Sequence, residues 1–474
     1  MKSTSELVKS DRKLGSATEA LAAEISHQGK RIAAPGQLSA AERLGHIYDA
    51  ERALLSNMAR IQAMLRQPTD FLRGLALHTQ VLACLQWLCE FQVLACVPLD
   101  DSVPFKDVAD ICGVPEAQLC RVTRLMATAG FLQEPRPGHI AHSALSAQFV
   151  TEPALLDAAL FLSEIAAPAA LKMPLATKKF GASDRPDQSA YALAFDTDVP
   201  LSSVFQLRPR LQRQFATYLS FVTSDDQANI RDVLMRIDWA SLGNATVVDV
   251  GAHSPASAIN LATLFPSLHF VVQTYESSSS SISTSSSSSS SFIIGGGCLT
   301  TTTTTADSPE IPAHLTSRIT LQTRHPGTPQ FVRTAAVYIL HLPSPSPSLP
   351  WDTIAAHAVS ELAAHADVLR ANPGSRLILT ALVLASSHSQ GTGTGNGAVG
   401  VVVDAEAEAA ARVRDLSLLQ LANGRHAERG EVVELLGRVG GLVVTDEITR
   451  GEESAVVAWE VRFQGQGVGF DEKR

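Results

Sequence analysis

Close cysteine pairs are missing from this 474-residue chain. Its six cysteines, Cys84, Cys89, Cys96, Cys112, Cys120 and Cys298, show no C-x-x-C spacing. A structural zinc site draws its ligands from such close pairs, so no metal is expected. The first five lie in apolar, helix-like stretches and read as small buried hydrophobes in a reducing compartment. Long apolar runs are missing too. No window holds the roughly 18 consecutive apolar residues of a membrane span. The N-terminal MKSTSELVKSDRKLG lacks the apolar core of a secretory signal. A soluble, intracellular protein with no membrane contact is expected. Basic excess is absent: 38 Lys and Arg face 47 Asp and Glu, a net charge of -9. That balance opposes non-specific nucleic-acid binding by the whole chain. No basic cluster forms a clear nuclear signal.

What is present is an ordinary globular composition, 45% hydrophobic and 18% charged. The length exceeds one core and predicts two folded domains with an extra helical segment. Residues 1–39 are polar and read as a flexible N-terminus broken at Pro35-Gly36. Residues 40–150 read as a helical dimerisation region followed by a winged helix. Leu44, Ile47, Leu54, Leu55, Met58, Ile61 and Leu65 recur at helical spacing. FLRGLALHTQVLACLQWLCEFQVLACV, from residue 71, is apolar on nearly all sides, which predicts a buried helix, as in a dimer interface.

Residues 104–150 carry the clearest local motif. A helix meets a turn at Gly113, a second helix ends at Gly130, and FLQEPRPGHIAHS predicts a hairpin turning at Pro137-Gly138. Helix, turn, helix and hairpin make a winged helix-turn-helix. Its second helix offers Gln118, Arg121 and Arg124 beside Glu116, and Asp107 and Asp110 precede it. That is too acidic for a phosphate footprint, so no direct nucleic-acid binding is expected. A module for dimerisation or for walling a pocket is the reading that remains. Residues 151–240 read as a helical linker region, with Lys178 and Lys179 as solvated charge.

From residue 241 to 465 strand-like and helical runs alternate, which predicts an α/β domain with a parallel sheet. The last two strands, GLVVTDEI and SAVVAWEVRF, are close enough to pair antiparallel at an edge. A serine- and threonine-rich insertion, 277–310, has too little apolar surface to order itself. The stretch ATVVDVGAHSPASAINLATLF opens the domain. TVVDV reads as a buried strand ending at Gly251. A cofactor turn needs glycine because a Cβ collides with the ligand. Ala252, His253 and Pro255 follow instead. Proline lacks an amide to donate, although it starts a helix well.

A winged helical half followed by a domain opening on VVDVG resembles the fungal and plant O-methyltransferases, which use S-adenosylmethionine. GFLQEPRPGHIAHSALS, VVDVG, FPSLHFVVQ, AAVYIL and DLSLLQLANG carry the likeness, from about residue 40 to residue 463. It implies a Rossmann-like class I methyltransferase domain. The features that the family's chemistry needs are degraded. The ribose-binding acid at the second strand's end has no counterpart: FVVQ is followed by Thr274 and Tyr275, and Glu276 comes two residues late. Ala336 stands where the family usually carries Asp. Matching Trp351 to the family's His-Asp-Trp motif puts Leu349 at the base, and leucine takes no proton from a phenol. His341 reads as a strand end. Glu428-Arg429 resembles a step flanking the base and reads as structural. The likeness therefore implies no catalytic residue and a loop, Gly251, Ala252, His253 and Pro255, that no longer binds its cofactor.

A narrower resemblance covers nearly the whole chain outside the insertion. LACLQWLCEFQVLACVPLDDSVPFKDVADICGVPE, PRPGHIAHS, QFVTEPALLDAALF, KKFGAS and ATVVDVGAHSPA are similar to the methyltransferase-like co-activators of fungal aflatoxin- and sterigmatocystin-type polyketide clusters. That implies a nuclear homodimer partnered by the pathway's zinc-cluster DNA-binding activator. The alternative is an active O-methyltransferase on an aromatic polyketide.

Overall fold

β-branched and aliphatic residues fill the strands of the C-terminal half, and the burial they need fixes one twisted sheet there. The computed structural model describes residues 67–222, 226–252, 254–275, 292–294, 297–299, 311–384, 405–449 and 456–464, with single residues at 12, 15 and 19. The chain divides into two compact units, Met1–Cys84 with Asp404–Glu406, and Leu85–Val403 with Ala407–Arg474. The helix expected over residues 40–66 lies outside the described residues.

Helix α1 (Pro68–Glu90) carries the apolar run singled out in the sequence. The expectation of burial fails within the single chain: Leu88 is its one buried residue, while Phe71, Leu72, Leu75 and Leu77 are exposed. The five described cysteines are free and half-buried rather than buried. Burial still pushes the Cys89 thiol up to about 12, Glu164 adding to it.

Helices α2 (Phe105–Cys112) and α3 (Glu116–Thr128) follow, with strands β1 (Val103–Pro104), β2 (Leu132–Gln133) and β3 (His139–His142). The strands pair in the order β1-β3-β2, and the β2-β3 hairpin pairs Leu132 with His142. Gly138 closes it at φ +80°, a left-handed conformation that favours glycine. Arg124 on α3 donates two hydrogen bonds to Glu134 of the hairpin, at 2.8 and 3.0 Å. That guanidinium holds the Glu134 carboxyl well below the usual carboxylate range, at about 2.

Helices α4 (Ala144–Thr151), α5 (Pro153–Phe161), α6 (Ala167–Phe180), α7 (Pro209–Val222) and α8 (Asp226–Leu234) form the connecting region. A π-turn, Leu162–Ala166, joins α5 to α6. The whole span Pro153–Phe180 is long and apolar enough to cross a membrane, with mean hydropathy 1.6. Its N-terminal part instead feeds an aromatic core, Phe161 lying 5.3 Å from Phe215 and 5.1 Å from Tyr218 between ring centres.

The main sheet holds β4 (Thr246–Val250), β5 (His269–Tyr275), β6 (Ile319–Arg324), β7 (Val337–His341), β8 (Arg376–Leu382), β9 (Leu442–Thr449) and β10 (Val456–Phe463). Their order is β9-β10-β8-β7-β4-β5-β6. β6, β5, β4, β7 and β8 run parallel, and β10 is antiparallel to both β8 and β9. The last two strands do pair, but β10 enters the sheet and leaves β9 at the edge. One face is covered by α10 (Trp351–Ala371) and α12 (Arg429–Gly437), and the other by α8 and α9 (Ala256–Leu264). Helix α11 (Ala405–Ala422) joins the aromatic core through Leu421. Covered on both faces, the strands read as continuous hydrophobic runs rather than alternating ones. Within the insertion, the described residues form a strand pair, Phe292–Ile294 with Gly297–Leu299.

Candidate functional site

Parallel strands place their ligand-facing loops at their C-terminal ends, at the point where strand order reverses. Here that point lies between β4 and β7, and Gly251 stands at it. Gly251 has φ +67°, and a Cβ there comes within 2.4 Å of the Tyr275 ring. Glycine is therefore required twice, by conformation and by space. The space above the turn holds the phenol ring of this chain's own Tyr275, which ends β5 and is 9% exposed. Burial, and Glu361 after it, pushes that phenol's pKa up, so the ring is neutral. His357 of α10 lies edge-on to it at 5.5 Å.

The other loop positions singled out in the sequence are likewise engaged. The buried Ala252 donates its amide to the Gln273 carbonyl at 3.0 Å. Pro255 is the N-cap of α9, so it begins a helix as its chemistry suggests. His253 lies outside the described residues.

Thr274, the position after FVVQ where an acid is missing, donates its hydroxyl to the Gln322 carbonyl at 3.4 Å, and before it stands the buried Gln273. Its amide group exchanges two hydrogen bonds with Gln330, at 3.0 and 2.9 Å. Gln330 Nε2 also donates to His365 Nε2 at 3.0 Å. An amide nitrogen only donates, so that ring nitrogen accepts and Nδ1 carries the proton, donating to the Glu361 carbonyl at 2.7 Å. The imidazole is thereby neutral, and burial pushes its pKa down to about 4. Beside it Arg324, 3% exposed, pairs with Glu361, 0% exposed, at 2.7 Å. Arg324 also donates to the Thr328 carbonyl, and the Glu361 carboxylate accepts from the Gly327 amide. A charged pair this deep is costly to break because either partner alone is left uncompensated.

The base position gives a parallel result. Leu349 is buried, 3% exposed, in a tight turn where its amide donates to Ser346 Oγ at 3.1 Å. Trp351 starts α10. His341 ends β7 as expected, with Nδ1 2.6 Å from Thr380 Oγ1 and Nε2 3.5 Å from the buried Asp249. Ala336 passes its amide to the Thr246 carbonyl at 2.9 Å. Glu428 is the N-cap of α12, its amide donating to Glu431 at 2.9 Å, and Arg429 pairs with Glu447.

A cleft beside this region is lined by Tyr218, Pro345, Pro347, Arg414, Ser417 and His426 and leaves room for little more than a water molecule. Burial, with the Arg414 charge second, pushes His426 down to about 4. No group of three or more His, Cys, Asp or Glu fit to hold a metal occurs among the described residues.

No protein-family model matches the chain. It is 44% identical over 449 residues to the aflatoxin cluster transcriptional coactivator aflS of Aspergillus flavus, covering 94% of this chain and 97% of that one. It is 41% identical over 440 residues to the monodictyphenone cluster transcriptional coactivator mdpA of Emericella nidulans, covering 88% and 89%. The chain belongs to the transcriptional coactivators of fungal secondary-metabolite clusters. The fold is that of a methyltransferase. The N,N-8-amino-8-demethyl-D-riboflavin dimethyltransferase of Streptomyces davawensis superposes with a TM-score of 0.55 at 17% identity, over 84% of this chain and all of that one.

In this coactivator chain the sequence located the turn and the missing acid and base, but not what replaced them. In the sequence Tyr275 is simply the residue before Glu276. The Gln273-Gln330-His365 chain joins residues 57 and 35 positions apart. No local pattern encodes such a pairing. The one available signal was an aromatic one residue past the expected acid, on the strand beside the glycine turn.

Proposed function

We propose that this chain is a transcriptional coactivator of a fungal aromatic-polyketide gene cluster, acting through a pathway-specific zinc-cluster activator and without methyltransferase activity. The curated relatives support the coactivator role by name. The observation that carries the inactive reading is the Tyr275 ring seated on Gly251. S-adenosylmethionine does not fit residues so arranged. The turn is filled, the Ala252 amide is used, and Thr274 stands where an acid would receive the ribose hydroxyls. Gly251, Ala252, His253 and Pro255 are then the remnant of a cofactor loop, and Leu349 leaves no base for a phenol.

The N-terminal boundaries proposed from the sequence, 1–39, 40–150 and 151–240, fit a regulator built on an enzyme scaffold, with 241–465 as its methyltransferase-like domain and 277–310 inserted in it. We read β1–β3 with α2 and α3 as a winged helix that serves as a scaffold, because Arg124 is spent on Glu134 within the motif. The exposed apolar residues of α1 suit a homodimer contact, and the role places the protein in the nucleus.

The test is deletion of the gene followed by complementation. Transcripts of the neighbouring cluster are expected to fall on deletion and to return with the wild-type chain. The chain is expected to co-precipitate with the cluster's zinc-cluster activator. Unchanged transcripts with a lost methylated product overturn the proposal in favour of an O-methyltransferase.

A further inference from the structure

One face of helix α6 is unlike the rest of this acidic chain. Leu171 is 82% exposed and Leu175 47%, one helical turn apart. Lys172, Lys178 and Lys179 are exposed around them. At 100° per residue Leu171, Leu175 and Lys178 share one face, with Lys172 and Lys179 along its border. Met173 points the other way, accepting from Gln420 of α11 at 3.7 Å. The helix contains no Asp or Glu. The nearest acid in sequence, Glu164 of the preceding π-turn, is half-buried and acts on Cys89, and beyond the helix Asp184 and Asp187 flank Arg185, which holds Asp187 at 2.6 Å. No lysine of the helix has an ion-pair partner among the described residues, and Lys179 lies 5.0 Å from the Phe180 ring.

Lys178 and Lys179 sit in the last turn, where they offset the helix dipole. That accounts for two of the charges but not for Lys172 or the bare leucines. The helix is also rigidly mounted. Its inner side meets the aromatic core through the buried Ala169, and Ala166 at the end of the preceding π-turn joins the same core. Pro174 sits in its interior, where it removes one backbone hydrogen bond and leaves the Ala170 carbonyl without its helical donor. An apolar pair rimmed by unpaired cations is complementary to an amphipathic helix with an acidic border.

We propose that this face of α6 docks an acidic amphipathic segment of the partner activator. The inference rests on the coactivator reading and adds to it the surface and the chemistry of the partner. The protein carries a net charge of -9, so a local excess of three positive charges selects acidic segments and repels basic, DNA-contacting ones.

The test uses the full-length protein and a fluorescent synthetic peptide of Leu, Phe, Asp and Glu in helical periodicity, with a scrambled control. Fluorescence anisotropy is measured for the wild type, for the triple variant K172E/K178E/K179E and for L171S/L175S. All five positions are exposed, and circular dichroism checks the fold. The wild type is expected to bind the ordered peptide, with each variant weakened at least about tenfold and with affinity falling as salt rises. Equal binding by the variants, equal binding of the scrambled peptide, or no binding overturns the proposal. Loss in the variants of binding to phosphatidylserine vesicles, with no peptide binding, assigns the face to lipid and overturns it as well. Self-association lost in the variants, again with no peptide binding, assigns it to a second copy. Complementation separates the two readings. Folded variants that restore cluster transcripts fully overturn this surface alone. A wild type that restores none overturns the coactivator reading itself.

Discussion

Tyr275 fills the space above Gly251 that a cofactor turn leaves for its ligand, and the two residues are locked to each other. Gly251→Ala introduces a Cβ against the ring and a side chain at positive φ. It is expected to cost roughly 2–4 kcal/mol, the sum of an αL penalty and overpacking. Tyr275→Ala alone costs about 3–5 kcal/mol, as for other buried aromatics. In the double variant the clash is gone, so the two costs are expected to fall short of additivity by at least about 1 kcal/mol. Urea unfolding of the four proteins measures this, and strict additivity refutes the contact. The buried histidines give a second residue-scale prediction. His365 and His426 are pushed down to about 4 in the folded protein, against about 6.5 when unfolded. Between those values the unfolded chain binds more protons, so stability falls as pH falls from 6.5 towards 4. Each contributes on the order of 3 kcal/mol. Urea midpoints across that range check it, and His426→Leu is expected to flatten the slope.

At the scale of elements, α12 owes its start to the Glu428-Glu431 capping box, and Arg425 holds Glu431 from outside at 2.8 Å. Glu431→Ala is expected to cost roughly 1 kcal/mol, like other lost caps, and to leave cluster transcription intact. A Tm loss together with abolished transcription at normal protein level contradicts a purely structural step. Elements of this kind were largely readable in advance. Alternating runs predicted the main sheet, and Pro137-Gly138 marked the hairpin of the small three-stranded sheet correctly. Three things were not readable. Apolarity all round α1 implied burial, because composition does not say whether the covering surface belongs to the same chain. β10 entering between β8 and β9 depends on long-range pairing, which adjacency in sequence does not specify. The buried Gln273-Gln330 pairing depends on a residue in a loop with no periodic pattern.

For the whole molecule, the fold of a methyltransferase has been kept while the space at its glycine turn is taken by its own side chains. Phe71, Leu72 and Leu75 are exposed on one side of a single helix, and an exposed apolar patch of this kind suits an interface. The wild type is expected to sediment as a dimer, and Phe71→Ser with Leu75→Ser is expected to shift it to monomer. A monomeric wild type refutes that contact. The central claim, that the cradle is closed to its ancestral ligand, is tested most directly by titrating S-adenosylmethionine into the folded wild-type protein in a calorimeter. The account predicts no binding even at millimolar cofactor. Micromolar binding contradicts it, because the ligand then displaces Tyr275 from Gly251 and methylation returns as the function to be tested.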